Sequence, residues 1–206
     1  MARHSLTRLL AAVSLTALTG CGNSPGGSGP PAGTLTVDVA PMTSAVNGLV
    51  LSAGKVEIEG LTVLGDVAPD GRSMIREFSL DLMSPGSSFS LSMLPQGVYS
   101  RVRFNVDNVS VAGTWKSTPF TIALDGGDNT IVDLRSNGVE VTPGHDGALS
   151  VSVDPGSWFA GDLLDSAAVS QSQIVVNLTT NTAVGAQLLA RVPGSFTLQD
   201  STAPLQ

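Results

Sequence analysis

The chain has 206 residues, of which only 13% are charged, and its formal net charge is −7. Charged residues usually make up about 25% of a soluble domain, so a surface built mainly from Ser, Thr, Asn and Gly is expected. An acidic chain without basic blocks argues against nucleic acid and anionic lipid headgroups as partners. The length is sufficient for one hydrophobic core even after a leader is removed.

The first twenty residues have the layout of a secretory signal peptide. Arg3 and Arg8 form a basic start, an apolar run covers residues 9–18, and the small residues Thr19 and Gly20 follow. The run is shorter than the approximately 20 apolar residues that a membrane-spanning helix needs. We predict that residues 1–20 are a signal peptide; an amino-terminal anchor that is never cleaved is the alternative.

Cys21 is the only cysteine, so a disulfide within the chain is excluded. The sequence Leu18-Thr19-Gly20-Cys21 resembles the lipobox of bacterial lipoproteins. The resemblance implies cleavage before Cys21, a diacylglyceryl group on its sulfur and acylation of its new amino group, typically with palmitate. Two or three acyl chains anchor a protein stably to a membrane. Because Gly22 follows, where retention in the inner membrane commonly uses Asp, the same resemblance favours the outer membrane, on either its periplasmic or its surface face.

Residues 22–33 read GNSPGGSGPPAG and contain no large apolar side chain. Such a segment cannot offset its ordering entropy by burial, so it is predicted to be a flexible tether. A coil of this length and composition has a root-mean-square reach of about 17–21 Å. The predicted organisation is therefore a lipidated Cys21 with a tether to residue 33, followed by one folded domain over residues 34–206.

From Thr34 onwards, apolar and polar residues alternate in short segments, which is typical of half-buried strands. The segments are TLTVDV, GKVEIEGLTVLG, EFSLDL, SFSLSML, VYSRVRFNV, NVSV, FTIAL, TIVDL, GVEVT and ALSVSV. Near the end of the chain, TNTAVGAQLLARVPG predicts one short helix capped by Asn181 or Thr182 and stopped by Pro193-Gly194. A final strand, SFTLQ, follows it.

Turn residues separate many of these segments. Leu94-Pro95-Gln96-Gly97 fits a type I turn. The other predicted turns contain glycine: Asp70-Gly71, Ala112-Gly113, Gly126-Gly127, Asn137-Gly138 and Asp146-Gly147. Many short strands at this spacing predict an all-β fold, an antiparallel sandwich or barrel.

The run LPQGVYSRVRFNVD, together with GTLTVDVAP and NVSVAGTWKSTPFTI, resembles the bacterial "domain of unknown function 4382" family over residues 33–154. The resemblance implies a Greek-key β-sandwich related in shape to transthyretin-like domains, in proteins that are mostly lipoproteins. The family tends to have Asp-Ala-Pro after its first strand, whereas this chain has Asp38-Val39-Ala40-Pro41. The expected fold is thus an all-β, antiparallel Greek-key β-sandwich with one short C-terminal helix. Since the family has no established activity, no catalytic residue follows from it.

Few residues suggest catalysis. His145 is the only histidine after residue 20, it lies in PGHDG, and the chain has no Gly-x-Ser-x-Gly motif. A nucleophilic hydrolase needs a serine with a histidine in reach, so we interpret His145 as a solvated loop residue. Clusters of Cys or His for zinc and glycine motifs for dinucleotides are also absent from the sequence, so no cofactor is expected.

Calcium is the best-supported metal hypothesis, although no metal is expected. Asp125, Asp128 and Asn129 offer three oxygen-bearing side chains in one loop, with Asp162 and Asp165 later in the chain. Calcium needs six to eight oxygen ligands, and the order of acids does not fit an EF-hand. An ordinary hairpin turn uses the same residue types and is the favoured interpretation.

Two groups of side chains suggest a binding surface. Tyr99, Arg101, Arg103 and Asn105 are predicted to share the outward face of one strand. They could form a shallow patch for sugars or anions, but cross-strand pairing with acids such as Glu57 and Glu59 is preferred.

Trp158 and Phe159 form the second group. They could form an exposed platform for glycan, but plugging one end of a sandwich is the more common role of such a pair.

These observations predict a non-catalytic envelope lipoprotein that displays a binding or structural module on a lipid tether. Its partners would be the membrane, through Cys21, and an unidentified glycan or envelope protein. The alternative is a carrier or chaperone for an apolar ligand, which predicts a continuous apolar cavity. A metal-assisted hydrolase would instead need Asp side chains and His145 to converge in one cleft.

Overall fold

The structure is a computed structural model that describes residues 32–42, 44–66, 68–75, 77–127 and 130–200. The predicted signal peptide, Cys21 and the tether up to residue 31 lie outside the described residues, as do the calcium candidates Asp128 and Asn129.

The described residues form twelve strands, one α-helix and three short 3-10 helices. The strands and α-helix are β1 (Ala32–Pro41), β2 (Leu49–Gly65), β3 (Ala68–Ile75), β4 (Phe78–Asp81), β5 (Ser87–Pro95), β6 (Gly97–Trp115), β7 (Thr118–Asp125), β8 (Ile131–Val141), β9 (Gly147–Val153), β10 (Val169–Ser170), β11 (Gln173–Val176), α1 (Thr182–Arg191) and β12 (Phe196–Asp200). The 3-10 helices are Pro155–Phe159, Leu163–Ser166 and Pro193–Ser195.

The strands form two mixed sheets. The smaller sheet has the order β12-β9-β1-β5, and the larger has the order β10-β11-β7-β6-β2-β3, with β4 also on β2 and β8 also on β6. The expectation of purely antiparallel pairing is wrong, because β1 pairs with β9 and β7 pairs with β11 in parallel. Parallel neighbours need a long connection. Strands β2 to β8 lie between β1 and β9 in the chain, and β8 to β10 lie between β7 and β11.

Alternation places one face of each sheet in a shared hydrophobic core. On β1, Leu35, Val37 and Val39 are fully buried, as their spacing predicted. Contacts between the sheets are aromatic at two places. The rings of Phe104 on β6 and Phe196 on β12 have centroids 5.8 Å apart, and those of Phe78 on β4 and Phe89 on β5 are 4.3 Å apart.

Three predicted turns lie inside strands instead. Asp70-Gly71 belongs to β3, Ala112-Gly113 to β6 and Asn137-Gly138 to β8. β6 is 19 residues long and pairs with the 17 residues of β2 from end to end. A Cβ on Gly113 would lie 2.0 Å from the carbonyl oxygen of Val50, so this glycine permits close strand approach.

The predicted helix is confirmed as α1, which begins after Asn181 and ends at Arg191. Val184 and Leu188 are buried on one face, as expected from their spacing. The Asn181 side chain does not cap the helix; its amide donates to the carbonyl oxygen of Val175 at 2.8 Å. The helix therefore depends on packing and on the anchoring of its first turn to β11.

The two ends of the fold can be told apart by the ends of β1. The entry end holds Ala32, which pairs with Pro95 across β1 and β5. The far end holds the connection between β1 and β2 and the tip of the β6–β7 hairpin. In the connection, the Ser44 hydroxyl donates to the Asp154 carboxylate at 2.7 Å. At the hairpin tip, the Lys116 amide donates to the Gly48 carbonyl at 2.7 Å. Within the described part of the chain, no helix has the length and apolar character needed to cross a membrane.

Candidate binding surface

Tyr99 does not belong to an outward-facing patch, contrary to expectation. The side chain is fully buried, and its hydroxyl donates to the carbonyl oxygen of Pro95 at 3.0 Å. A register shift between Tyr99 and Arg101 in the pairing with β8 changes the alternation, so that Tyr99 and Val102 both face the core. A β-bulge of this kind cannot be seen in the residue pattern alone.

Arg101 and Arg103 pair with a carboxylate, as preferred, but that carboxylate is Asp133. The Arg101 Nε donates to Asp133 Oδ1 at 3.1 Å, its Nη2 donates to Oδ2, and the Arg103 Nη2 donates to Oδ2 at 2.9 Å. β8 places Asp133 directly opposite Arg103. Asn105 does reach an expected acid, donating to Glu59 Oε2 at 2.5 Å.

This cluster makes stability depend on pH through Asp133. Hydrogen bonds from Arg101 and then Arg103 hold the pKa of the Asp133 carboxyl below its ordinary value, despite some opposing desolvation. A carboxyl whose pKa is lower in the folded state stabilises that state above the unfolded pKa. That contribution is lost as the pH falls through the folded pKa.

The expected result of Asp133→Asn is a melting temperature lower by about 1–3 °C at pH 7. The variant removes the carboxylate that Arg101 and Arg103 share, while Arg101 and Arg135 stay directly opposite each other. The difference from the parent should shrink as the pH falls through the lowered folded pKa of Asp133, because the carboxyl is then protonated in both states. Asp146→Asn, at an exposed turn residue, is the control and should show no such dependence. A constant difference at all pH values would contradict the charge argument.

The other candidate residues are dispersed. His145 is exposed in the turn between β8 and β9 at the entry end, which confirms its interpretation as a loop residue. Asp162 and Asp165 lie at the far end, where both approach Lys116 Nζ, at 3.3 and 2.6 Å. The convergence that a metal-assisted hydrolase requires is therefore not found for these side chains.

Asp125 has a local role. Its Oδ1 accepts a hydrogen bond from the Gly127 amide at 2.9 Å, as expected of a turn after β7. No three His, Cys, Asp or Glu side chains within the described ranges come close enough to hold a metal ion.

Trp158 and Phe159 are core residues. Both are 0% exposed, and the Phe159 ring lies 5.5 Å from that of Phe120. The plug interpretation is confirmed, and the glycan platform is wrong for this pair. The indole Nε1 of Trp158 has no hydrogen-bond partner among the described residues.

The far end carries an apolar groove that sequence reasoning missed. It lies between the start of β2 and the chain that follows β4, and its volume is about 290 Å³. We call it the far-end groove; its apolar lining includes Val46, Leu49, Leu51, Leu82, Met83 and Pro155. Met83 is 54% exposed and the neighbouring Val50 is 62% exposed. The unbroken run Leu49-Val50-Leu51, which departs from alternation, was the available signal.

A second depression meets the groove at Met83. This small-residue trough, about 690 Å³ in volume, lies along the outward face of β4, β2, β6 and β7. Small side chains form most of it: Ser52, Ala53, Ser79, Ser110, Ala112 and Thr121. None of the described residues that line it is aromatic, so stacking against a sugar ring has no support there.

Comparison with known proteins adds little. No family model matches the chain, and no curated protein matches it significantly. The chain is similar to a solved structure of a "putative cell adhesion protein" from Bacteroides ovatus, with 14% identity and a TM-score of 0.13. The match covers 60% of this chain and only 40% of the length of that one. At these values it carries no argument about fold or function.

Proposed function

We propose that this protein is a non-catalytic lipoprotein of the bacterial envelope that presents a binding module at the end of a lipid tether. The module is proposed to be a Greek-key β-sandwich, in line with the resemblance to the "domain of unknown function 4382" family. The observation that carries the proposal is the placement of the exposed far-end groove at the opposite end of the domain from Ala32.

The distance between the two ends can be judged from β1. The strand begins at Ala32, where the predicted tether joins the domain, and ends at Pro41 beside the far end. Ten residues of strand span about 33 Å. A chain anchored at Cys21 would therefore carry the far-end groove away from the lipid, facing whatever lies beyond the membrane surface.

The test is lipidation at Cys21. Cells grown with a labelled palmitate analogue should incorporate it into the parent protein, whereas Cys21→Ser should remove the label and release the protein from the membrane fraction. Ser24→Cys in the Cys21→Ser background is the matched control. It restores a thiol three positions away and should restore neither label nor anchoring. Equal membrane association of parent and Cys21→Ser would overturn the proposal.

The sorting step has its own test. Gly22→Asp should move the lipidated protein from the outer to the inner membrane fraction on a density gradient, because Asp at this position commonly signals retention. Gly22→Ala is the control and should leave the distribution unchanged. Unchanged sorting of Gly22→Asp would remove the argument for the outer membrane while leaving lipidation intact.

Packing favours this function over a carrier for an apolar ligand. A carrier needs a continuous cavity between the sheets. Large side chains are instead fully buried in the described interior, with Trp158, Phe104 and Phe120 among them. The apolar space that remains at the far end is a groove lined by residues as exposed as Met83.

A further inference from the structure

The first residues of β2 have a partner on one side only. β6 pairs with β2 along its whole length, but on the other side β4 pairs only with Lys55–Ile58 and β3 only with Leu61–Gly65. Beside Leu49–Ala53, the described residues place no strand. We call this stretch the open edge. After Asp81 the chain turns away from β2 and leaves the far-end groove next to it.

Backbone groups of Leu51 point towards the open edge. The Lys116 amide donates to the Gly48 carbonyl at 2.7 Å, so Gly48 faces β6. Residues of an antiparallel strand alternate between facing one neighbour and facing the other. Val50 therefore faces β6, whereas Leu49 and Leu51 face away. The Leu49 amide accordingly donates to the Val46 carbonyl at 3.0 Å, which leaves the Leu51 N–H and C=O directed to the open edge.

The surroundings favour an extended chain as occupant. A strand added beside β2 would direct alternate side chains to its two faces. On one face lies the inner side of the far-end groove, with Leu51 and Leu82; on the other lies the trough, and Met83 borders both depressions. The five residues of the open edge span about 17 Å, enough for a short strand.

Charge defines the second requirement for the occupant. Asp81, at the end of β4, is exposed and accepts a hydrogen bond from the Met83 amide at 2.8 Å. No Lys or Arg forms an ion pair with it in the described part of the chain. Its cross-strand neighbour Lys55 is directed to Glu57 instead, at 2.6 Å. A basic side chain on the outward face of an added strand would complement this carboxylate.

We propose that the open edge of β2 binds an extended segment of a partner protein as an added strand, with apolar side chains in the far-end groove and basic side chains towards Asp81. This inference rests on the proposed function, because it names the class of partner that the displayed module takes. Main-chain hydrogen bonds to Leu51 would fix the register of the segment, and the groove would select its apolar residues.

The probe is a capped hexapeptide that alternates valine with lysine, titrated by NMR into the full chain carrying Cys21→Ser. Saturable binding is expected, with slower hydrogen exchange of the Leu51 amide in the complex. A peptide of the same charge with N-methyl groups on its edge-facing amides should bind about tenfold more weakly. Equal affinity of the two peptides would overturn strand addition. A third peptide, with glutamate in place of lysine, should bind more weakly, and equal affinity for it would also overturn the proposal.

Protein variants locate the site. Met83→Lys places a like charge beside the incoming lysines and should weaken binding about tenfold. Met93→Lys is the matched control, since Met93 is 85% exposed near the entry end, and it should bind as the parent does. Unchanged peptide binding by Met83→Lys would overturn the proposal. So would a dimer in which a second copy of the chain occupies the open edge, if that dimer dissociates in the Met83→Lys variant. The labelling test of Cys21 does not involve this peptide, so the failure of either proposal can be recognised separately.

Discussion

Trp158→Ala is expected to lower the free energy of unfolding by about 3–5 kcal/mol. The side chain is 0% exposed within the 3-10 helix Pro155–Phe159, where it closes the far end of the core. Its removal takes away the largest fully buried side chain and leaves a cavity that the surrounding strands can fill only in part. Urea unfolding followed by circular dichroism measures the loss.

Trp158→Phe distinguishes apolar packing from hydrogen bonding. Because the indole Nε1 has no partner among the described residues, the phenyl ring loses volume but no hydrogen bond, and a cost of only about 1–2 kcal/mol is expected. Met93→Ala, at a side chain that is 85% exposed, should change stability by less than about 0.5 kcal/mol. An equal cost for Trp158→Phe and Trp158→Ala would show that the indole N–H has a partner.

Gly113→Ala is expected to cost about 2–3 kcal/mol, although it adds only one methyl group. The new Cβ would lie 2.0 Å from the carbonyl oxygen of Val50, and no flexible side chain can move aside because the obstacle is backbone. The strain would separate β6 from the start of β2. Amides in this part of the β2–β6 ladder should be the first to lose their protection from hydrogen exchange. Native-state hydrogen exchange can measure this loss.

Gly194→Ala is the matched substitution. Nothing lies within 4 Å of the position that its Cβ would occupy, and the glycine has no left-handed φ. We expect stability to be unchanged or raised by up to about 1 kcal/mol, since alanine restricts the unfolded chain. A similar loss of stability in both variants would mean that replacing either glycine is costly in itself, and close strand approach would not explain the effect at Gly113.

The elements best predicted from sequence are those in which local pattern and final environment agree. Leu35, Val37 and Val39 alternate in sequence and line the core, and the spacing of Val184 and Leu188 predicts the buried face of α1. The sequence signals for turns were misleading where a glycine permits close pairing of two strands and does not reverse the chain. Ala112-Gly113 has the composition of a turn, yet the contact that requires glycine comes from Val50, more than sixty residues away in sequence.

The candidate surface was less predictable for the same reason. That Arg101 and Arg103 need a carboxylate follows from their chemistry, but the choice of Asp133 depends on β8 pairing with β6. Burial of Tyr99 depends on a bulge that changes which side chains face inward. The far-end groove combines β2, the segment after β4 and the 3-10 helix at Pro155, which no short sequence window contains together.

The place of β1 in its sheet also has a mechanical consequence. β1 begins at Ala32, where the predicted tether would transmit any pull from the membrane, and it lies between β5 and β9 rather than at an edge. A force along β1 would load its two hydrogen-bond ladders in shear, and each ladder covers seven residue pairs. These bonds run across the strand direction, so they must break together and cannot open one by one. A load borne at the far end would therefore reach the proposed anchor through a strand that is paired on both sides.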